Sequence, residues 1–475
     1  MICTRFGHVL RKNCALRKPV LARCFSNDQK SLSIDRSGLF QWAPQLDPVE
    51  LAKVKQPESD FARYLKDRIR VRGPIPVAEY MREALTNPRY GYYMNRDVFG
   101  KEGDFTTSPE ISQLFGEMVG IWCVSLWMQL GKPSKMRIVE FGPGRGTLMA
   151  DVARTMTQFP GARESISIHL VDASPFLKDM QYCTLLRTLD RDSFDTLMML
   201  KTESAHSEAN SALPVMGPRR PGDSVTIASV PVSWHDTLET IPDGPTLILA
   251  HEFFDALPVY QFQVVRGQWC ERLVDIDNSL QTPYHFRRVV SQGATPAVVM
   301  LMRRARDLAR KQAKEGDAVE VCPAGVSIAQ DFAKRIGQHR GAALIIDYGE
   351  DHPLTDSLMA IRKHKFVDLF DNPGSADLSA WVDFQSLRFA AAASKADVST
   401  FGSVWQRDFL LRLGIEARAT SLLQTMSEKD AADLYESYVR LLDPEQMGKS
   451  YKVMAFASKD LQPEGLAASF ELTRT

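Results

Sequence analysis

The 475-residue chain holds no C-x-x-C pair among its seven cysteines, and 58 basic residues against 58 acidic leave it without net charge. It also lacks the G-x-G-x-x-G of dinucleotide folds and the complete P-loop motif. Each absence excludes something. Without paired cysteines there is no zinc ribbon and no disulfide framework. A neutral balance supplies no field to recruit nucleic acid or a membrane surface. The most apolar stretch, 118–130, follows Glu117 and is too short to span a bilayer, so no stable membrane insertion is expected. Glycine and proline total 54 of 475, too few for a collagen-like or low-complexity chain. What remains is ordinary globular composition, 44% hydrophobic, long enough for about two to four domains.

Acid is missing locally as well. Residues 1–26 carry Arg5, Arg11, Lys12, Arg17, Lys18 and Arg23 and not one Asp or Glu. Val9, Leu10, Leu16, Val20, Leu21 and Phe25 are scattered among the bases, never in the continuous run a secretory signal needs. Residues 1–25 are therefore expected to be a mitochondrial matrix presequence, with a processing site near Arg23-Cys24-Phe25-Ser26. A solvated basic tail and a plastid transit peptide are the alternatives, the second disfavoured by low serine content. Cys3, Cys14 and Cys24 belong to that segment. Cys123, Cys183, Cys270 and Cys322 are isolated thiols that suit a reducing compartment.

Residues 26–60 read as a polar linker punctuated by Pro44, Pro48 and Pro57. A helical pattern starts near Phe61, a second helix opens at Pro76, and a loop follows from Gly91 to Thr107. Ser108-Pro109-Glu110 reads as the start of a helix running to Leu130. Beyond it, short apolar strands alternate with helices: strands at 137–141, 166–171, 230–234, 246–250 and 342–346, helices at 147–158 and 176–188. Such alternation predicts an α/β fold, a parallel sheet covered by helices on both faces. Pro231 makes the 230–234 strand the least secure. Residues 261–275 read as a hairpin around Arg266-Gly267, and 191–224 as an inserted surface loop rich in Ser, Glu, Asp, Pro and Gly. Residues 376–445 read as mainly helical, with a late strand at 451–457.

Two segments carry chemistry. In the first, the strand 137–141 runs into Gly142-Pro143-Gly144-Arg145-Gly146 and then a helix. Glycines at alternate positions let a ligand approach the backbone. No Lys-Ser/Thr follows to hold a phosphate, and Gly448-Lys449-Ser450 fails as a P-loop because position 443 is Asp. An acid before such glycines, with others at the ends of the next strands, is the arrangement for S-adenosyl-L-methionine. Glu140 is expected to meet its ammonium, Asp172 its ribose hydroxyls, and Asp236 to lie near its adenine. A helix N-cap accounts equally for Asp172 taken alone.

The second segment is His251-Glu252-Phe253-Phe254-Asp255-Ala256-Leu257-Pro258, leaving a buried strand at the edge where open α/β sheets bind ligands. It is not the zincin H-E-x-x-H, since Asp255 stands at the fifth place, and no metal is expected. Glu252 and Asp255, three apart, suit the planar fork of an arginine guanidinium and are the candidate catalytic pair. Turn-capping by the same acids is the alternative.

These motifs resemble the MidA-like family of S-adenosyl-L-methionine-dependent methyltransferases. Within it, the chain is most similar to the mitochondrial branch of protein-arginine methyltransferases that serve complex I assembly. The resemblance spans about 61–458 and rests on Gly73-Pro74-Ile75, Gly91-Tyr92-Tyr93, Gly103-Asp104-Phe105, Thr107 to Ser112, Glu140 to Leu148, Glu252 to Pro258, Asp347-Tyr348-Gly349, Ala376-Asp377-Leu378 and Val382-Asp383-Phe384. It implies a class I, Rossmann-like methyltransferase sheet over 136–375, an N-terminal helical and lid segment over 61–135, and a mostly helical addition with a late strand over 376–475. It further implies symmetric dimethylation of an arginine of the complex I 49-kDa core subunit, in the matrix, with Gly142, Gly144 and Gly146 at the cofactor. Asp104, Thr107 and Ser108 are placed in a lid facing the site, a packed structural loop being the alternative. His251 stands where many relatives have Asn, and Trp381 where many have His; neither is assigned a role. A non-catalytic complex I assembly chaperone that keeps the fold is the competing function, and a dinucleotide oxidoreductase the third. The sequence does not fix the oligomeric state.

Overall fold

The computed structural model describes residues 55–94, 107–205, 222–279, 282–302 and 313–466. The presequence, nearly all of the linker and Asp104 lie outside them.

The centre is a nine-stranded sheet. Its strands along the chain are β1 (Met136–Phe141), β2 (Ile166–Val171), β3 (Ser224–Ile227), β4 (Val230–His235), β5 (Thr246–His251), β6 (Gly341–Glu350), β7 (Val382–Asp383), β8 (Val398–Trp405) and β9 (Tyr451–Ser458). They lie in the order β8-β9-β6-β5-β1-β2-β4-β3, with β7 beside the end of β6. The pairs β6/β5, β5/β1, β1/β2 and β2/β4 are parallel; β9 enters antiparallel between β6 and β8. The chain steps outward from β1 to β2 and β4, then jumps back to place β5 on the other side of β1. That reversal leaves a crevice at the carboxyl ends of β1 and β5.

Alternate residues of each parallel strand feed two different cores. Ile138, Leu247, Leu249, Leu344 and Ile346 join Trp122, Met149 and Val152 on one face. Val139, Ile248, Ala250, Ala343 and Ile345 join Phe332, Ile336 and Phe384 on the other. The period of two is the expected consequence of strand geometry when both faces are covered. Helices α4 (Gln113–Gln129) and α5 (Thr147–Met156) supply the first cover; Pro323–His339 supplies much of the second. The α/β sheet with helices on both faces is thus present as predicted.

Preceding these, α1 (Asp60–Arg72, capped by the Ser59 hydroxyl) and α2 (Val77–Thr86) pack on a second sheet absent from the sequence reading. It is antiparallel and five-stranded, formed by Ile75–Pro76, Tyr260–Val265, Gln268–Ile276, Phe286–Val290 and Ala318–Val321. The hairpin expected at 261–275 is its centre.

Four other local expectations need correction. The helix from Ser108 breaks into α3 (Ser108–Ile111) and α4, because Ser112 is extended and its hydroxyl caps the Leu114 amide. Thr107, not Ser108, is the N-cap of α3. The supposed surface loop 191–224 begins as a helix, Arg191–Ala205, started by the Asp190 carboxylate on Ser193. Its Phe194 and Leu197 reach the main core at helical spacing, a pattern hidden by the acid and serine around them. Finally, 376–445 contains β8, whose Val-Ser-Thr-Phe-Gly-Ser-Val-Trp sequence is too polar to read as a strand but suffices on the sheet's edge. Pro231 fits β4 because it lies beyond the stretch that pairs with β2.

Candidate active site

A cavity of about 470 Å³ opens at the crevice between β1 and β5. Both chemical segments line it. From the first come Glu140, Gly142, Pro143, Gly144 and Arg145, with Asp172 after β2 and Asp236 after β4; from the second come His251, Glu252, Phe253 and Asp255. Thr107, Pro109 and Glu110 close one side, Tyr93 and Asp377 another.

The glycine loop turns left-handed at three places, with φ 62° at Gly142, 52° at Gly144 and 81° at Gly146. Gly142 also sits against the acid turn: a Cβ there would stand 2.9 Å from Phe253 Cδ2. The two motifs are therefore in contact, and only glycine permits it. Gly146 does not line the cavity; it is the N-cap of α5.

Glu140 is fully buried, and burial pushes its carboxyl up to about 8. Its Oε2 has no hydrogen-bond partner among the described residues. An acid so placed is short of a cation. Asp172 is pushed up to about 6 by burial, against the pull of the Ser174 amide on Oδ1 (2.8 Å) and the Gln181 side-chain amide on Oδ2 (2.8 Å). Each carboxylate oxygen accepts two hydrogen bonds, so capacity remains for a diol. Asp236, at the rim, is paired with the buried Lys178 at 3.1 Å.

The acid turn is built from distant strands. Asp347 on β6 accepts the amides of Phe254 (3.0 Å) and Asp255 (3.3 Å) through Oδ2, while Glu252 takes a left-handed φ of 48°. Tyr348 donates its phenol to Asp255 Oδ2 at 2.6 Å, and Tyr451 on β9 donates to Glu252 Oε1 at 2.9 Å. Burial pushes Asp255 up to about 6, partly offset by the Tyr348 phenol. Asp347 goes well above the carboxylate range, through burial first and then the charges of Asp255 and Glu252. His251, held near 3 by burial, is neutral and 3.5 Å from Glu252. Tyr93 donates to Asp377 at 2.6 Å.

Of the three lid residues proposed from sequence, Asp104 lies outside the described residues and Thr107 lines the cavity. Ser108 does not. It is fully buried, with its hydroxyl 4.0 Å from Met447 Sδ, because the α3 turn rotates it toward the core.

Several residues escaped the sequence reading. Gln181 donates to the Gly144 carbonyl (2.9 Å) and Asp172 while accepting from Trp234 Nε1 (2.9 Å). Nothing marks a helical glutamine 37 residues downstream as a support for the glycine loop. Gln181→Leu is expected to lower stability by about 1–3 kcal/mol, since it orphans the buried Trp234 Nε1 and takes a donor from the half-buried Gly144 carbonyl and Asp172 at little change in volume. Urea unfolding measures this; a loss under about 0.5 kcal/mol would mean other donors take over. Asp347, Tyr348 and Tyr451 were equally unassigned.

The cavity now meets its known counterparts. Residues 118–402 match the family model described as "Putative S-adenosyl-L-methionine-dependent methyltransferase". The chain belongs to this methyltransferase family. Its cofactor is S-adenosyl-L-methionine, and the residues fit it: a buried acid with one oxygen unpartnered among the described residues for the ammonium, a glycine backbone for close approach, and Asp172 for the ribose. The chain is 40% identical over 416 residues to "Protein arginine methyltransferase NDUFAF7 homolog, mitochondrial" of Drosophila melanogaster, covering 87% of this chain and 88% of that one. It is 39% identical over 404 residues to the human protein arginine methyltransferase NDUFAF7, mitochondrial, at 84% of each. A COG1565 superfamily member from Burkholderia thailandensis, solved with S-adenosyl-homocysteine, shares the fold with TM-score 0.65 at 24% identity, over 89% of this chain and 97% of that one. The methyltransferase sheet expected from the motifs is therefore the fold.

Proposed function

We propose that this methyltransferase acts on protein arginine in the mitochondrial matrix, dimethylating symmetrically an arginine of the complex I 49-kDa core subunit and so supporting complex I assembly. The observation that carries the reading is the acidity of the cavity. Among the described residues lining it, nine are acidic and Arg145 is the single Arg or Lys. Glu252 and Asp255 project from one turn beside the glycine loop, a placement that suits a planar cation and disfavours an anionic substrate. The relatives named protein arginine methyltransferase, mitochondrial, and the acid-free basic segment 1–26 support the same reading. Neither nucleic acid nor membrane insertion is required; no helix among the described residues is long and apolar enough to cross a membrane.

In this mechanism, Glu140 and Asp172 hold the cofactor, which supplies an electrophilic methyl group. Glu252 and Asp255 orient the guanidinium so that one terminal nitrogen faces that methyl. Transfer to nitrogen releases one proton, which the acid pair takes up. Mass spectrometry of the recombinant 49-kDa subunit after incubation with enzyme and S-adenosyl-L-methionine tests the reading. The expected product is one arginine with a methyl on each terminal nitrogen. Methylation of a lysine, or of no residue, would overturn it.

A further inference from the structure

The pairing of β6 with β9 places Tyr348 directly across from Tyr451, with ring centroids 5.7 Å apart and edge to face. Both phenols are buried, and each points to a different acid of the same turn. The two acids are nevertheless not equivalent. Glu252 Oε1 receives Tyr451 and has the neutral His251 ring 3.5 Å away, stacked parallel to the Tyr451 ring. Asp255 gives one oxygen to Tyr348 and keeps Oδ1 buried with no partner among the described residues. A carboxylate oxygen screened from water, in a cavity-lining residue and lacking a donor, is poised to take a proton.

We propose that this cross-strand tyrosine pair divides the labour of the two acids: Tyr348 positions Asp255 as the proton acceptor, and Tyr451 positions Glu252 to grip the cationic group. The assignment rests on the arginine reading above. The proton that leaves the methylated nitrogen bonds to Asp255 Oδ1, and the nitrogen keeps the electron pair of the broken N–H bond. Tyr348 and Tyr451 are not among the residues lining the cavity and act through the acids.

The groups facing Asp255 fix the sign of its pH dependence. Tyr348 and Asp347 face it from β6, Tyr93 from the segment after α2, Asp377 from the strand Asp377–Ser379, and Glu252 from its own turn. Burial first, then the charges of Asp255 and Glu252, push the Asp347 carboxyl well above the carboxylate range, so charge on Asp255 disfavours charge on Asp347. Asp255 accepts a proton only when ionised, so kcat/KM should rise with pH through about 6 and level off above. Removing the Tyr348 donor destabilises the ionised form and moves that limb upward.

The test compares Tyr348→Phe and Tyr451→Phe in the full chain, with the 49-kDa subunit as substrate. Tyr348→Phe should shift the acid limb of kcat/KM up by about one to two pH units. Tyr451→Phe should leave the limb in place and raise KM about tenfold. An unmoved limb in Tyr348→Phe, or equal shifts in both variants, overturns the proposal. Infrared titration of the carboxyl band, assigned with Asp255→Asn and recorded without substrate, should show the same midpoint shift. That readout survives even if no arginine is methylated, so failure of the substrate reading and failure of the tyrosine assignment are told apart. Should Tyr348→Phe not fold, 3-fluorotyrosine at 348, a stronger donor, must move the midpoint down; no movement refutes the assignment.

Discussion

Gly144→Val will bind S-adenosyl-L-methionine at least about 100-fold more weakly than the parent chain, a loss of about 2.7 kcal/mol. Gly144 sits at φ 52°, where an L-residue pays roughly 1–2 kcal/mol and a β-branched one is a genuine outlier. Relaxing that strain means flipping the loop, and the flip breaks the bond from Gln181 to the Gly144 carbonyl. It also removes the bare backbone that the cofactor approaches. The loop borders a cavity rather than a core, so the fold should survive with a modestly lower melting temperature. Calorimetric titration measures the affinity, with NADH as the control ligand. Normal affinity in a folded variant would show that the glycine loop is not the cofactor's seat, and saturation by NADH instead would favour an oxidoreductase.

Glu252→Gln combined with Asp255→Asn should lower kcat by about 10³–10⁴-fold while changing cofactor affinity less than about threefold. The amides preserve shape, and their carbonyl oxygens still accept from Tyr451 and Tyr348. What disappears is the charge of the acid turn, which grips the guanidinium and takes its proton. Cofactor binding depends on Glu140 and Asp172, which the substitutions leave in place. Radiolabelled methyl transfer at saturating substrate, beside a calorimetric titration, separates the two effects. Cells carrying only the double variant should fail to assemble complex I. Full assembly there would mean that the protein acts as a non-catalytic chaperone and that its acid turn is a structural cap.

What could be read in the sequence, and what could not, divides along contact range. The glycine loop, the Glu252–Asp255 turn and the hairpin around Arg266-Gly267 are recognisable from local sequence, each from residues within a dozen positions, although the first two are held by distant side chains. Ser108 was misplaced because the α3 turn sends adjacent side chains in different directions, Thr107 to the cavity and Ser108 to the core. Tyr451 and Glu252 are 199 residues apart, and only the antiparallel insertion of β9 brings them together. No pattern within either segment encodes that register. Asp347 was legible as part of a motif but not as the acceptor of two turn amides, since that role depends on β6 pairing with β5 across the intervening second sheet. The edge strand β8 and the helix Arg191–Ala205 were obscured by polar composition, which tertiary packing overrides.

The place of β9 bears on how the protein matures. It is the last strand among the described residues, yet it lies inside the sheet, and every residue of it is buried. Synthesis proceeds from the N-terminus, so residues ahead of about 450 can assemble the glycine loop while the slot between β6 and β8 stands open. During that interval Glu252 lacks its phenol, and two sheet edges are exposed to any strand that reaches them. A polypeptide interrupted between β8 and Tyr451 keeps the cofactor-binding half in outline and loses the Tyr451 support of the acid turn. The arrival of β9 is thus what arms the acid turn.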